Sequence, residues 1–194
     1  MPKNYLPGMI KLFEYYKSLG EKTLDIVPEE KMNWQYNAEC NSMSTIVKHI
    51  TGNMLSRFTD FLTTDGEKNW RNRDGEFEPE ILTKKEMMDR WHVAWKIFLN
   101  VLHDLKEEDL DKIIYIRNEG QTITDALDRQ LAHYASHIGQ MIYLGKMIMD
   151  KDWKSLSIPR GQSNGYNTEK FSAPKHDAHF TDELLNPGEK KDSR

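Results

Sequence analysis

Apolar residues recur at spacings of three and four along four long stretches of the chain, and nowhere do they alternate long enough to build a sheet. The first stretch runs from about Tyr5 to Ile26, where Met9, Leu12, Phe13, Tyr16 and Leu19 form one stripe that should stop at Asp25-Ile-Val-Pro28. The second begins at the capping cluster Asn41-Ser-Met-Ser44 and carries Ile46, Ile50, Met54, Phe58 and Phe61 over about 20 residues, to a stop near Thr64-Asp-Gly66. Thr83, followed three residues later by Glu86, predicts a capping box for a third helix with Met87, Trp91, Trp95, Phe98 and Leu102 on its inner face. The fourth and longest pattern spans about Thr122 to Asp150, with Leu127, Leu131, Tyr134, Ile138, Ile142 and Gly145 on one face. Ala132, Ser136 and Gly139 make a side of small residues on the same helix, which would let another helix or a second copy of the chain approach closely.

The connections are as distinct as the helices. Residues 65–79, from Asp65-Gly-Glu-Lys-Asn-Trp to Phe77-Glu-Pro79, are too rich in glycine and charge for a core element, and connections of this length are commonly functional. Ile113-Ile-Tyr-Ile-Arg117 reads as a short extended segment with its turn at Gly120. From Trp153 the helical period disappears, so residues 157–165 read as loop and the chain end as a solvated tail. The expected fold is all-α, a four-helix bundle with one long crossover connection. It should form one domain over residues 1–167, followed by an irregular, partly flexible tail over 168–194.

Composition narrows the function. At 194 residues the chain can bury a real core, and its net charge of -4, with no basic cluster interleaved with aromatics, argues against a nucleic-acid partner. No run of apolar residues approaches the ~18 that would cross a membrane. The opening Met1-Pro-Lys-Asn-Tyr-Leu-Pro7 lacks the basic-then-apolar order of a signal peptide, and the single cysteine, Cys40, suits a reducing compartment. A cytoplasmic location is the expectation.

Candidate chemistry rests on histidines. In Leu131-Ala-His133-Tyr-Ala-Ser-His137-Ile-Gly-Gln140 two imidazoles lie four residues apart, which sets them one above the other on a helix. His49 sits at the margin of the apolar face of the second helix, and successive turns on that side bring Asn53 and Arg57. Convergence of His49, His133 and His137 would make a three-nitrogen site with an open coordination position. The spacing alone leaves a second reading open, in which these are hydrogen-bonded histidines at the core boundary. The pattern is not H-E-x-x-H, since Tyr134 stands where the glutamate would be. His92 and His103 have no partner at ligand spacing, and His176 and His179 have no scaffold to hold them rigid.

The segments Asn41-Ser-Met-Ser-Thr-Ile-Val-Lys-His49-Ile and Gln130-Leu-Ala-His133-Tyr-Ala-Ser-His137-Ile-Gly-Gln140 resemble those of the DinB/YfiT-like superfamily of damage-inducible, metal-dependent proteins. Gly52-Asn-Met-Leu-Ser-Arg57, Asp65-Gly-Glu-Lys-Asn-Trp-Arg-Asn-Arg73-Asp and Ser157-Ile-Pro-Arg-Gly-Gln-Ser163 resemble a bacterial subgroup of it without an assigned reaction. The resemblance covers roughly residues 5 to 167 and implies a four-helix bundle of DinB/YfiT type, often a homodimer. It also implies one divalent ion held by His49, His133 and His137. Relatives in that superfamily include S-transferases and an isomerase that use bacillithiol, mycothiol or glutathione.

Three neutral imidazoles leave a bound ion its full charge, so a coordinated water or thiol is strongly acidified. The leading expectation is therefore a thiol S-transferase that joins a low-molecular-weight thiol to an electrophilic small molecule. Asn53, Arg57, Arg71, Arg73 and Gln130 are candidate substrate-binding residues, because guanidinium matches the carboxylates of such thiols in a bidentate fork. Two alternatives stay open: a metal-dependent hydrolase, which needs a carboxylate base such as Asp74 or Glu76 near the ion, and a non-catalytic bundle stabilised by metal. Zinc or nickel is favoured, with iron or manganese compatible with the same ligands.

Overall fold

The computed structural model describes residues 5–78 and 80–185, and the last part of the expected tail, 186–194, lies outside them. Its long helices are α1 (Tyr5–Ile26), α2 (Met43–Phe58), α3 (Lys84–Asp104) and α4 (Ile123–Met149), followed by the shorter α5 (Ser163–Ser172) and α6 (Asp182–Leu185). An antiparallel hairpin, β1 (Ile113–Ile116) and β2 (Glu119–Thr122), pairs Ile113 with Thr122 and Ile116 with Glu119. The described chain is thus mostly helical, in the all-α class. Among the described residues no helix is long and apolar enough to cross a membrane.

Helices α2, α3 and α4 each start where a side chain takes up an otherwise unpaired backbone N–H. Ser42 Oγ accepts from the Thr45 N–H at 3.2 Å at the head of α2. Thr83 and Glu86 form the expected reciprocal capping box of α3, and Thr122 Oγ1 accepts from the Asp125 N–H at 3.0 Å at the start of α4. The second helix ends six residues before the predicted stop. Asp60 adopts φ 49°, which breaks the helix, yet the Phe61 ring still stacks on Phe58 at 5.0 Å from the turn that follows. The apolar spacing outlives the helix because burial of Phe61 needs only its position, not helical backbone.

Three further expectations are corrected. The hairpin turns at Arg117-Asn118, with φ 57° and 61°, and not at Gly120, which lies inside β2. Two successive positive-φ residues suit a two-residue hairpin turn, and Asp65 supports it by accepting the N–H groups of Arg117 at 2.9 Å and Asn118 at 2.8 Å. Residues 163–172, expected to be loop and tail, form α5; it buries no side chain, so it carries no apolar stripe to be read. Part of the expected irregular tail is also ordered as α6, tied to α1 by Lys11 Nζ to Asp182 Oδ1 at 2.6 Å.

The core lies among the four long helices, with α1 packed on α3 and α4 and α2 packed on the same two. Phe13 from α1, Phe58 from α2, Trp95 and Phe98 from α3 and Tyr134 from α4 meet at its centre, all fully or almost fully buried. That α2–α4 contact positions the site, because it brings His49 opposite His133. On the other side of α4, Ala132, Ser136 and Gly139 are exposed in the single chain, with Tyr143 beside them 66% exposed.

Candidate metal centre

Apolar neighbours force the histidines inward. Ile46 and Ile50 flank His49 on α2 and are buried, while Tyr134 and Ile138 do the same for His133 and His137 on α4. His49 itself is buried, and the other two are half-buried. Their Nε2 atoms converge: His133 Nε2 lies 3.1 Å from that of His49 and 3.1 Å from that of His137. The ligating atoms of the three residues all lie within 4.8 Å of one another.

The outward-facing nitrogens decide what this cluster is suited to hold. His49 Nδ1 faces Glu76 Oε2 at 2.8 Å, His133 Nδ1 faces Gln130 Oε1 at 3.4 Å, and His137 Nδ1 faces Gln140 Oε1 at 3.3 Å. An oxygen beside every Nδ1 favours the imidazole proton there, by a short charge-assisted contact at His49 and by long contacts at the two α4 rings. In that tautomer three Nε2 lone pairs point at a common space with no proton between them. That arrangement is repulsive unless a cation is shared, and with metal–nitrogen distances of about 2.0–2.1 Å a tetrahedral ion spaces its nitrogens about 3.3 Å apart. The donor set fits a metal ion.

Burial pushes His133 down to about 4, reinforced by the adjoining His137 and His49 rings and by Arg129 and Arg71. Burial, then His49, also lowers His137. A histidine depressed in the folded state takes up its proton first in the unfolded chain, so stability falls as pH drops from about 6.5 towards 4. Metal-free protein should therefore melt at progressively lower temperature across that window, and His133→Gln should flatten the dependence. Calorimetric melting curves at half-unit pH steps check this; an unchanged slope in the variant would contradict the half-buried, neutral imidazole.

The other candidate residues separate into three groups. Gln130 is buried against His133, and Asn53, one turn beyond His49, accepts the Tyr134 hydroxyl proton at 3.1 Å. Arg57 and Arg71 are directed inward: Arg57 donates to Gly66 O at 2.5 Å and Glu67 Oε2 at 3.0 Å, and Arg71 grips Glu76 through two bonds of 2.7 and 2.9 Å. Arg73 is different. Its half-exposed side chain lies over the Phe77 ring at 5.3 Å, its nearest carboxylate, Asp74, is 3.9 Å away, and Phe77 itself packs on the His49 ring at 4.9 Å.

The residue whose role is hardest to read from sequence is Glu76. As a possible free base it belongs to an irregular connection without periodicity; in the fold it is buried behind His49. Burial would raise its carboxyl, but the hydrogen bonds from His49 and Arg71 outweigh this and hold it below the ordinary range. Phe77, which the sequence also leaves unmarked, follows directly after it.

Fold and site together define a mostly helical protein with a three-histidine cluster able to hold a metal ion. Residues 1–162 match the DUF1572 family, described as a protein of unknown function, and the chain belongs to that family. No curated protein and no solved structure matches it.

Proposed function

We propose that this chain is a four-helix bundle of DinB/YfiT type that holds one divalent ion on His49, His133 and His137 and acts as a thiol S-transferase. The observation that carries the reading is the convergence of the three Nε2 atoms while every Nδ1 faces a side-chain oxygen. Zinc or nickel is the first choice of ion, and three protein ligands leave it a free position. Bound there, it would supply the charge that acidifies a coordinated thiol or water, to a pKa of about 7 for water on zinc.

The chain's own residues favour a thiol over water. A hydrolase would use a carboxylate free to take a proton from water, but Glu76 is occupied by His49 and Arg71, and the Asp74 side chain is 99% exposed. Arg73, by contrast, presents a guanidinium above Phe77 at the edge of the histidine cluster, suited to the carboxylate of a cosubstrate such as a low-molecular-weight thiol. Phe77 shields the His49 ring from water on that side. The reading includes a homodimer, with the small-residue side of α4 as the contact.

Metal-loaded protein incubated with cysteine, glutathione, bacillithiol or mycothiol and an epoxide or bimane electrophile should form conjugate above background with at least one thiol. Chelation and His133→Ala should abolish it, and Arg73→Ala should raise the thiol KM about fivefold to tenfold, the worth of one partly exposed charge-assisted hydrogen bond. Absence of metal-dependent conjugation with every thiol overturns the transferase reading. A sharp fall in melting temperature on chelation, with no turnover, would favour a structural ion instead.

A further inference from the structure

The connection between α2 and α3 buries a charge pair that its other residues do not require. Asp74 and Glu78 of the same segment are exposed, yet the side chains of Glu76 and Arg71 retain only 7% and 2% exposure. Taking a carboxylate and a guanidinium out of water is costly unless geometry and partners are good. Here they are: Arg71 Nε donates to Glu76 Oε1 at 2.7 Å, its terminal nitrogen donates to Oε2 at 2.9 Å, and Oε2 also accepts from His49 Nδ1 at 2.8 Å.

The surface of α2 is hollowed for this carboxylate. Gly52 lies three residues beyond His49, and a Cβ built on it would stand 2.4 Å from Glu76 Oε1 and 3.0 Å from its Cδ. Any larger residue would displace Glu76 from His49. Glycine inside a helix is unfavourable for the backbone, so its presence within an otherwise regular helix calls for a packing reason. Close approach of Glu76 is that reason.

The pair is braced from behind. Glu67 Oε2 accepts from Arg57 at 3.0 Å and from Arg117 Nε at 3.1 Å, and lies 3.6 Å from Arg71. Asp65 in turn holds the hairpin turn that carries Arg117. Alternating charges therefore run from the hairpin through Arg117 and Arg57, Glu67, Arg71 and Glu76 to His49. The two α4 histidines have only neutral glutamine oxygens behind them, at 3.4 and 3.3 Å.

We propose that Glu76, seated on Gly52 and clamped by Arg71, is the positioning residue of this centre. It holds His49 in the Nδ1–H form with Nε2 turned to the α4 pair, and it strengthens that nitrogen as a donor. Arg57 and Arg71 accordingly serve the centre from behind, and Arg73 is the arginine left to face a cosubstrate. The inference rests on the reading of the three histidines as metal ligands.

Cobalt(II) chloride titrated into the full chain, followed by its visible absorption, tests it. Glu76→Gln and Gly52→Ala should each weaken cobalt affinity about tenfold to a hundredfold, the usual loss when the partner behind a ligand is removed. Each should shift the cobalt bands, and the double variant should lose no more than the worse single one. Alanine is the better helix former, so a merely helical role for Gly52 predicts an unchanged or higher melting temperature with unchanged cobalt binding. Long-range proton–nitrogen NMR of the metal-free protein should find His49 wholly Nδ1–H in the natural sequence and mixed in Glu76→Gln. Unchanged affinity, bands and tautomer in both variants would overturn the proposal. Failure of the natural sequence to bind cobalt would instead overturn the ligand reading, and the His49 tautomer would still decide for or against Glu76.

Discussion

Replacing His49, His133 or His137 by alanine should take the protein from about one divalent ion per chain to less than about 0.2 after dialysis, because two imidazoles make too weak a chelate to retain it. The expectation follows from the convergence of the three Nε2 atoms within one 4.8 Å cluster. Alanine at His49 also leaves Glu76 and Arg71 buried without their third partner, so this variant should lose some stability even without metal. Alanine at the half-buried His137 leaves no such residue behind. Metal content by elemental analysis, with melting curves with and without added ion, separates the two effects. A free ion concentration a hundred times Kd should stabilise the natural sequence by about 2.7 kcal/mol and none of the three variants appreciably. Equal metal content in the natural sequence and His49→Ala would remove His49 from the site.

Phe98→Ala should destabilise the fold by about 3–5 kcal/mol, the range for deleting a large buried aromatic side chain. Against a total stability of about 5–15 kcal/mol, that is a large fraction. The reason is its position. Phe98 on α3 meets Phe13 of α1 at 4.6 Å, Phe58 of α2 at 4.4 Å and Tyr134 of α4 at 5.7 Å between ring centroids, so one side chain joins all four long helices. The Phe13 and Phe58 contacts are edge-to-face, and such pairs add to the burial itself. Urea unfolding should move the midpoint down with little change in slope, and saturating metal should recover part of the loss by joining α2 to α4. A loss below about 1 kcal/mol would mean that neighbouring rings collapse into the space, contrary to the close packing of a protein interior.

These two expectations draw on different levels of information. Phe98 belongs to a stripe visible at helical spacing, and the capping residues Ser42, Thr83 and Thr122 mark their helices where they begin. Local chemistry is enough there, since a hydroxyl or an apolar side chain acts within a turn of its own position. Where backbone conformation departed from periodicity, the same reasoning overshot in one place and fell short in another. Phe61 continues the stripe of α2 beyond the point where Asp60 breaks the helix, and α5 forms without any buried side chain to signal it.

By itself the sequence determined the four long helices, the inward faces that bury them and the stacking of His133 and His137 on one helix face, because each depends on spacing within one segment; His49 joined that pair only through the family resemblance. Only the tertiary structure decided that Nε2 of His49 meets His133, that Glu76 lies against Gly52 and behind His49, and that Arg57 and Arg71 are turned inward while Arg73 remains half-exposed. The physical reason is that these relations join residues as far as 84 positions apart, across an irregular connection whose charged side chains carry no period. Their partners are chosen by three-dimensional proximity, low local dielectric and the need to pair buried charges, none of which is written in local order.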